Sequence, residues 1–145
     1  GVSAIFHTTG NDTCHVILRG GSRTGPNYDA THVDQVCARL QEKGHRPSVM
    51  VDCSHGNSKK DHRRQPDVVA SISQQVAAGS WQVFGAMIES HLVEGRQDYV
   101  PGGTATYGQS ITDACISLEQ TEPLLEQFAA TSDQALMRHQ YHRRM

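Results

Sequence analysis

The chain has no long hydrophobic run. Its apolar stretches stop at five or six residues, well short of the roughly 20 that a membrane-spanning helix needs, and the N-terminus carries no basic, apolar, small-residue leader pattern. No membrane role is expected. Nor is there a surplus of one charge: 13 Lys and Arg stand against 15 Asp and Glu, a net charge of −2, so nothing general points to nucleic acid. The two local basic stretches, 59–64 and 138–144, read as solvated faces. Closely spaced cysteines are also missing. Cys14, Cys37, Cys53 and Cys115 form no CxxC pair, which disfavours a structural zinc site or a redox dithiol and suits the reduced thiols of a cytoplasmic protein. Three of the four fall inside expected strands or helices, where cysteine acts as a small buried hydrophobe. With 145 residues, 37% of them hydrophobic, and a mean hydropathy of −0.52, the composition is that of one soluble domain.

What is present is an architecture repeated three times. The runs His15-Val-Ile-Leu-Arg19-Gly-Gly, Ser48-Val-Met-Val-Asp-Cys-Ser-His55-Gly-Asn and Val83-Phe-Gly-Ala-Met-Ile-Glu89-Ser-His each end in an ionisable residue beside glycine or serine. Arg19 and His55 are 36 positions apart and His55 and Glu89 are 34, about one strand, one helix and two loops. The spacing predicts parallel strands with Arg19, His55 and Glu89 at the carboxyl edge of one sheet, where α/β folds place their chemistry.

Between these runs, residues 3–9 and 14–18 read as a hairpin closed by Gly10-Asn11-Asp12. A helix is expected from about Asp29 to Lys43, burying Val33, Val36, Cys37 and Leu40 and stopped by Gly44; a second runs from Pro66 to near Gly79, burying Val69, Ile72 and Val76. Strands are expected over 48–53 and 82–88. Residues 94–110 read as a long loop of a kind that is often functional. A helix should open at Ser110-Ile-Thr112-Asp113 and a last one at Thr121-Glu-Pro123, running into a polar, basic tail over 131–145. Alternating strand and helix predicts an α/β fold with a parallel sheet.

Arg19, followed by two glycines, can offer a planar fork to phosphate or carboxylate, or be a surface arginine paired with an acid. His55, leaving a strand into Gly-Asn-Ser, suits a metal ligand whose other ring nitrogen is oriented by an acceptor. Glu89 at the end of an apolar strand needs a cation or hydrogen-bond donors. Asp113, 24 residues further on, reads locally as a carboxylate in a helix's first turn. One nitrogen and two carboxylates suit manganese, iron, cobalt or zinc better than calcium or magnesium.

The strings Ile17-Leu-Arg-Gly-Gly21, Pro26-Asn-Tyr28, Asp52-Cys-Ser-His-Gly-Asn-Ser58, Met87-Ile-Glu-Ser-His-Leu-Val-Glu-Gly95 and Tyr107-Gly-Gln-Ser-Ile-Thr-Asp-Ala-Cys-Ile116, in this order, closely resemble the shorter, bacterial and fungal (class I) 3-deoxy-D-arabino-heptulosonate 7-phosphate (DAHP) synthases over residues 1 to about 130. The resemblance implies a transferase with a (β/α)8 barrel, which condenses phosphoenolpyruvate with erythrose 4-phosphate at the head of the shikimate pathway to the aromatic amino acids. It requires a divalent metal, Mn2+ foremost. It also implies that Arg19 binds phosphoenolpyruvate, that His55 takes part in catalysis, that Asp113 also meets substrate, and that His55, Glu89 and Asp113 are three of four metal ligands. The 3–18 hairpin resembles a strand pair that in many members helps form a site for feedback by an aromatic amino acid.

A barrel of this type needs roughly 200 residues or more. Residues 1–145 are therefore expected to be the C-terminal portion, about strands 6 to 8 plus the hairpin, of a single barrel domain. The fourth ligand, a cysteine, and the Lys-Pro-Arg-Thr-Thr sugar-phosphate motif would lie in a missing N-terminal half. The complete enzyme would be a homo-oligomer, and the isolated chain inactive. A non-catalytic fragment or interaction module is the alternative; without the resemblance, an unrelated metal-dependent hydrolase or aldolase would be. Cys53, two positions before His55, is a further candidate thiolate ligand.

Overall fold

The computed structural model describes residues 1–142, with side chains as far as Met137. Three strands, β1 (Val16–Leu18), β2 (Val49–Asp52) and β3 (Val83–Met87), form one parallel sheet in the order β1-β2-β3. Ile17 pairs with Met50, and Asp52 with Met87. The parallel order follows from the connections, each of which contains a 13-residue helix, α1 (Ala30–Glu42) or α2 (Gln65–Ala77). A crossover of that length returns the chain to the same edge of the sheet. The result is an α/β fold.

The helices begin and end where side-chain chemistry places them. Asp29 caps α1 by accepting from the His32 backbone N–H, Gly44 takes the positive φ that ends it, and Pro66 lies in the first turn of α2. Leu18, Val33, Cys37 and Val49 bury one apolar cluster between β1, β2 and α1. Val51, Cys53, Val68, Val69, Ile72, Ile116 and Leu124 bury a second between β2, α2 and the last helix. At about 1.5–3 kcal/mol per fully buried aliphatic side chain, these clusters hold the sheet to its helices. Alternation along β1 leaves Leu18 buried and Ile17 half exposed.

Beyond β3 the chain makes β4 (Ser90–His91), β5 (Val93–Arg96), β6 (Gln109–Ser110), β7 (Ile116–Ser117) and α3 (Leu118–His142). β4 pairs with β7 and β5 with β6, both parallel. The expected loop over 94–110 is therefore shorter, because its ends are in strands. Gln97 braces it, donating to the carbonyls of Thr106 and Gln109 and accepting from the Thr106 N–H.

Three expectations need correction. The hairpin over 3–18 does not form: among the described residues only Val16–Leu18 of that stretch is strand, and Ile5 and Phe6 are 88% and 86% exposed. A lone ribbon is marginal in water, and among the described residues Ile5 and Phe6 pack against no surface, so nothing within this chain offsets the entropy of ordering it. The helix expected at 110–113 is instead β6 and a loop, so Asp113 does not sit in a helix's first turn. The last expected helix, placed at Thr121-Glu-Pro123, starts earlier: α3 begins at Leu118 and passes through Pro123. Its start signal is a reciprocal pair: Ser117 N–H donates to Gln120 Oε1 at 2.8 Å, and Gln120 N–H to Ser117 Oγ at 3.2 Å, the capping box that precedes a helix. The tail expected over 131–145 is helical as far as His142; residues 143–145 lie outside the described residues.

Candidate metal centre

The parallel order carries the three strand ends to one edge. Arg19 follows β1 directly, His55 lies three residues beyond β2, and Glu89 two beyond β3. Asp113 arrives from the β6–β7 loop, held by the Arg96 guanidinium, which donates to the Thr112 carbonyl at 2.8 Å. His55 Nε2 then stands 3.4 Å from Glu89 Oε1 and 3.8 Å from Asp113 Oδ2. The three ligating atoms lie within 4.8 Å of one another, the one such group of three or more His, Cys, Asp or Glu among the described residues.

Each donor is oriented by a neighbour. The His55 Nδ1 edge faces Asp52 Oδ2 at 2.7 Å. Ser54 Oγ donates to Glu89 Oε2 at 2.6 Å, leaving Oε1 toward His55. Gln65, fully buried at the start of α2, grips the Glu89 backbone twice: its Nε2 donates to the carbonyl at 2.9 Å, and its Oε1 accepts the N–H at 2.8 Å. Sequence reasoning missed the roles of Ser54 and Gln65. The signal for Ser54 was its place in Asp52-Cys-Ser-His; for Gln65 there was none.

The donor set fits a divalent cation. Bonds of about 2.0–2.2 Å place neighbouring ligand atoms roughly 3–4 Å apart; the two distances from His55, 3.4 and 3.8 Å, fall in that interval, and the three atoms together lie within 4.8 Å. Two carboxylates and an imidazole nitrogen facing one another call for positive charge between them. They line a cavity of about 120 Å³ together with Ser54, Lys60, His62 and Arg96. Arg96 is committed elsewhere, to Thr112 and to Asp98 Oδ1.

Arg19 is placed beside this centre, not in it. It lines a separate cleft of about 690 Å³ with Gly20, Gly21, Pro26, His55, Lys59 and Lys60, and its Nε is 3.9 Å from Asp52 Oδ2. Glycine is required where this wall is built: a Cβ on Gly20 would stand 2.6 Å from the Gly56 carbonyl carbon, and one on Gly56 the same distance from the Gly20 carbonyl carbon. Asn57 locks the two strand ends together, donating to the Leu18 and Asp52 carbonyls at 3.0 and 2.8 Å.

Cys53 is no ligand. It is fully buried in the apolar cluster behind β2 and is not among the side chains that meet at the centre; burial, with the Asp52 charge next to it, pushes its thiol up to about 12. Outside the centre, His62 Nε2 pairs with Glu94 Oε1 at 2.9 Å, and this hydrogen bond, with a second from Gln120, holds the Glu94 carboxyl below its usual range.

Residues 1–126 match the model of the DAHP synthetase I family. The chain is 57% identical over 129 residues to a phospho-2-dehydro-3-deoxyheptonate aldolase of Haemophilus influenzae, covering 89% of this chain and 35% of that protein. It is 50% identical to the Phe-sensitive enzyme of Escherichia coli K12 over 129 residues, with 89% and 36% covered. To the tyrosine-inhibited enzyme of Schizosaccharomyces pombe it is 51% identical over 133 residues, again with 89% and 36% covered. The solved structure of the phospho-2-dehydro-3-deoxyheptonate aldolase of Francisella tularensis superposes with a TM-score of 0.81 at 48% identity, over 91% of this chain and 38% of that one. The chain thus spans a little over a third of the length of these relatives.

Proposed function

The chain belongs to the DAHP synthetase I family, and on that premise we propose that it is the C-terminal portion, about strands 6 to 8, of a cytoplasmic DAHP synthase, a (β/α)8 barrel that condenses phosphoenolpyruvate with erythrose 4-phosphate and releases phosphate. The observation that carries this reading is the convergence of His55, Glu89 and Asp113 at the carboxyl edge of a parallel sheet, beside the Arg19 cleft.

His55, Glu89 and Asp113 would hold the divalent cation, with Mn2+ the first choice and Fe2+, Co2+ or Zn2+ able to fill the same donor set. Bound there, the cation supplies Lewis acidity toward the aldehyde oxygen of the sugar phosphate. The chain's own groups do the rest. Arg19 offers paired N–H donors to an anionic group of phosphoenolpyruvate, and the glycines at 20, 21 and 56 let that anion approach the backbone. Asp52 and Ser54 hold the faces of His55 and Glu89 that point away from the centre, so the ligating atoms would meet the cation without reorganising. Asp113 is the most exposed of the three, with 57% of its side chain accessible, and would be the ligand that meets the incoming aldehyde end.

The remaining strands, a fourth ligand and the sugar-phosphate site come from a further segment, and the 145-residue chain alone turns over no substrate. The complete protein is a homo-oligomer and answers to an aromatic amino acid; the names of relatives that are Phe-sensitive or tyrosine-inhibited support the second of these. The test is complementation. The chain is fused to, or co-expressed with, the upstream two thirds of the H. influenzae relative, loaded with Mn2+, and assayed for phosphate release from the two substrates. Activity that is lost in Glu89→Gln supports the reading; a folded, metal-loaded assembly without turnover contradicts it and leaves the non-catalytic module.

A further inference from the structure

Asp52 ends β2 and is 3% exposed. Both of its carboxylate oxygens are engaged: Oδ1 accepts the Ser54 N–H at 2.8 Å, and Oδ2 faces His55 Nδ1 at 2.7 Å, with Arg19 Nε 3.9 Å from that same oxygen. The Asp52 carbonyl is pinned by Asn57. The carboxylate is therefore held in place from both sides. His55 adopts a φ of 46°, a left-handed conformation that costs a non-glycine residue about 1 kcal/mol or more. This strained backbone coincides with the ring lying on the carboxylate three residues before it.

A carboxylate can only accept a hydrogen bond, and of the carboxylate oxygens around the ring only Asp52 Oδ2, at 2.7 Å, is in close hydrogen-bond contact, so with a cation at Nε2 the hydrogen belongs on His55 Nδ1. Nε2 then turns a lone pair toward Glu89 Oε1 and Asp113 Oδ2. We propose that Asp52 is a positioning residue of this centre: it sets His55 in the tautomer that can ligate a cation through Nε2, and its Oδ2 joins the Arg19 cleft to that imidazole. The inference rests on the reading of His55, Glu89 and Asp113 as a metal centre.

A purely structural role predicts something different for Asp52→Asn. The amide keeps an oxygen for the Ser54 N–H, so the turn survives, but it presents an N–H where Oδ2 stood. That donor needs the lone pair of Nδ1, which moves the hydrogen to Nε2 and aims it at the ligand cluster.

The experiment uses the 145-residue chain labelled with 15N-histidine, examined by long-range 1H–15N correlation at pH 8 without metal, with His55 identified by its loss in His55→Gln. The wild-type spectrum should show Nδ1 protonated and Nε2 unprotonated, and Zn2+ should shift Nε2. Asp52→Asn should reverse the tautomer and weaken Zn2+ and Mn2+ binding, measured by calorimetry, by about 10–100-fold. A wild-type His55 that carries a hydrogen on Nε2, whether or not Nδ1 carries one too, or an Asp52→Asn chain with unchanged tautomer and affinity, overturns the proposal. If Asp52→Asn does not fold, the wild-type spectrum alone decides. The wrong tautomer in a chain that binds the cation counts against Asp52, whereas the right tautomer in a chain that binds none counts against the metal-centre reading.

Discussion

Replacing Gln65 by leucine removes both carboxamide contacts to the Glu89 backbone, one of 2.9 Å from Nε2 and one of 2.8 Å to Oε1. Leucine fills much the same volume, so no large cavity confuses the result; what is lost is polar. Each bond contributes about 1 kcal/mol net, and each backbone group left without a partner costs about 1–3 kcal/mol. Both bonds are only part-buried, so water relieves some of that cost and the lower end applies, about 2–3 kcal/mol in all. For a domain of this length a loss of that size lowers Tm by roughly 5–10 °C. Because the same two bonds set the direction in which Glu89 leaves β3, Mn2+ affinity should fall by about tenfold. Circular dichroism melts and calorimetric titration read the two effects. Gln75→Leu, which removes two part-buried bonds, to the Tyr28 carbonyl at 2.8 Å and a longer one to Ser71 Oγ at 3.4 Å, is the control; it should cost about 1–2 kcal/mol and leave Mn2+ affinity alone. A Gln65→Leu chain that melts within a degree of wild type and binds Mn2+ as tightly would refute the account of how Glu89 is held.

With the Cys53 thiol pushed up to about 12 and the Cys37 and Cys115 thiols also raised by burial, a thiol reagent at pH 8 should label the exposed Cys14 fast in the native chain and all four cysteines only in denaturant; fast native labelling of a second thiol contradicts the burial. Cys53→Ser should lower Tm, since it puts a hydroxyl into an apolar cluster, yet leave Mn2+ affinity unchanged, as calorimetry will show. Ile72→Ala, at a position 2% exposed, should cost about 2–5 kcal/mol in urea unfolding. The Glu94 carboxyl is held below its usual value of 4.5 in the folded chain, so its contribution is present above that value and is lost as pH falls through the lower folded value. The Tm difference between wild type and Glu94→Gln should therefore be largest near neutral pH and shrink below pH 4.5, and a difference that grows on acidification would contradict the His62 pairing.

The strands and helices from residue 14 to 88 were legible because each carries its own period and its own stop, as Val33 and Cys37 on α1 or Gly44 after it show. The hairpin was misread because Ser3 to Thr9 has strand-like residues without a partner surface, and burial, not propensity, decides whether such a stretch pairs. The start of α3 was misplaced because Thr121-Glu-Pro123 looks like a helix opening while the Ser117–Gln120 capping box lies just before it. Of the site, Arg19, His55 and Glu89 could be placed from spacing alone, since a strand's end fixes its edge. Asp113 could not: its local reading was a helix-start carboxylate, and only the loop held by Arg96 brings it to His55. The contacts of Ser54 and Gln65 join segments 35 and 24 residues apart, and no local pattern announces a contact of that kind.

The central claim is that His55, Glu89 and Asp113 form one divalent-metal site, and an electron paramagnetic resonance titration of the 145-residue chain with Mn2+ tests it most directly. One bound Mn2+ per chain is expected, with binding lost in His55→Ala and Glu89→Gln and kept in Cys53→Ser. Mn2+ that stays free in solution with the wild-type chain, or that binds His55→Ala and Glu89→Gln as well as wild type, would contradict it.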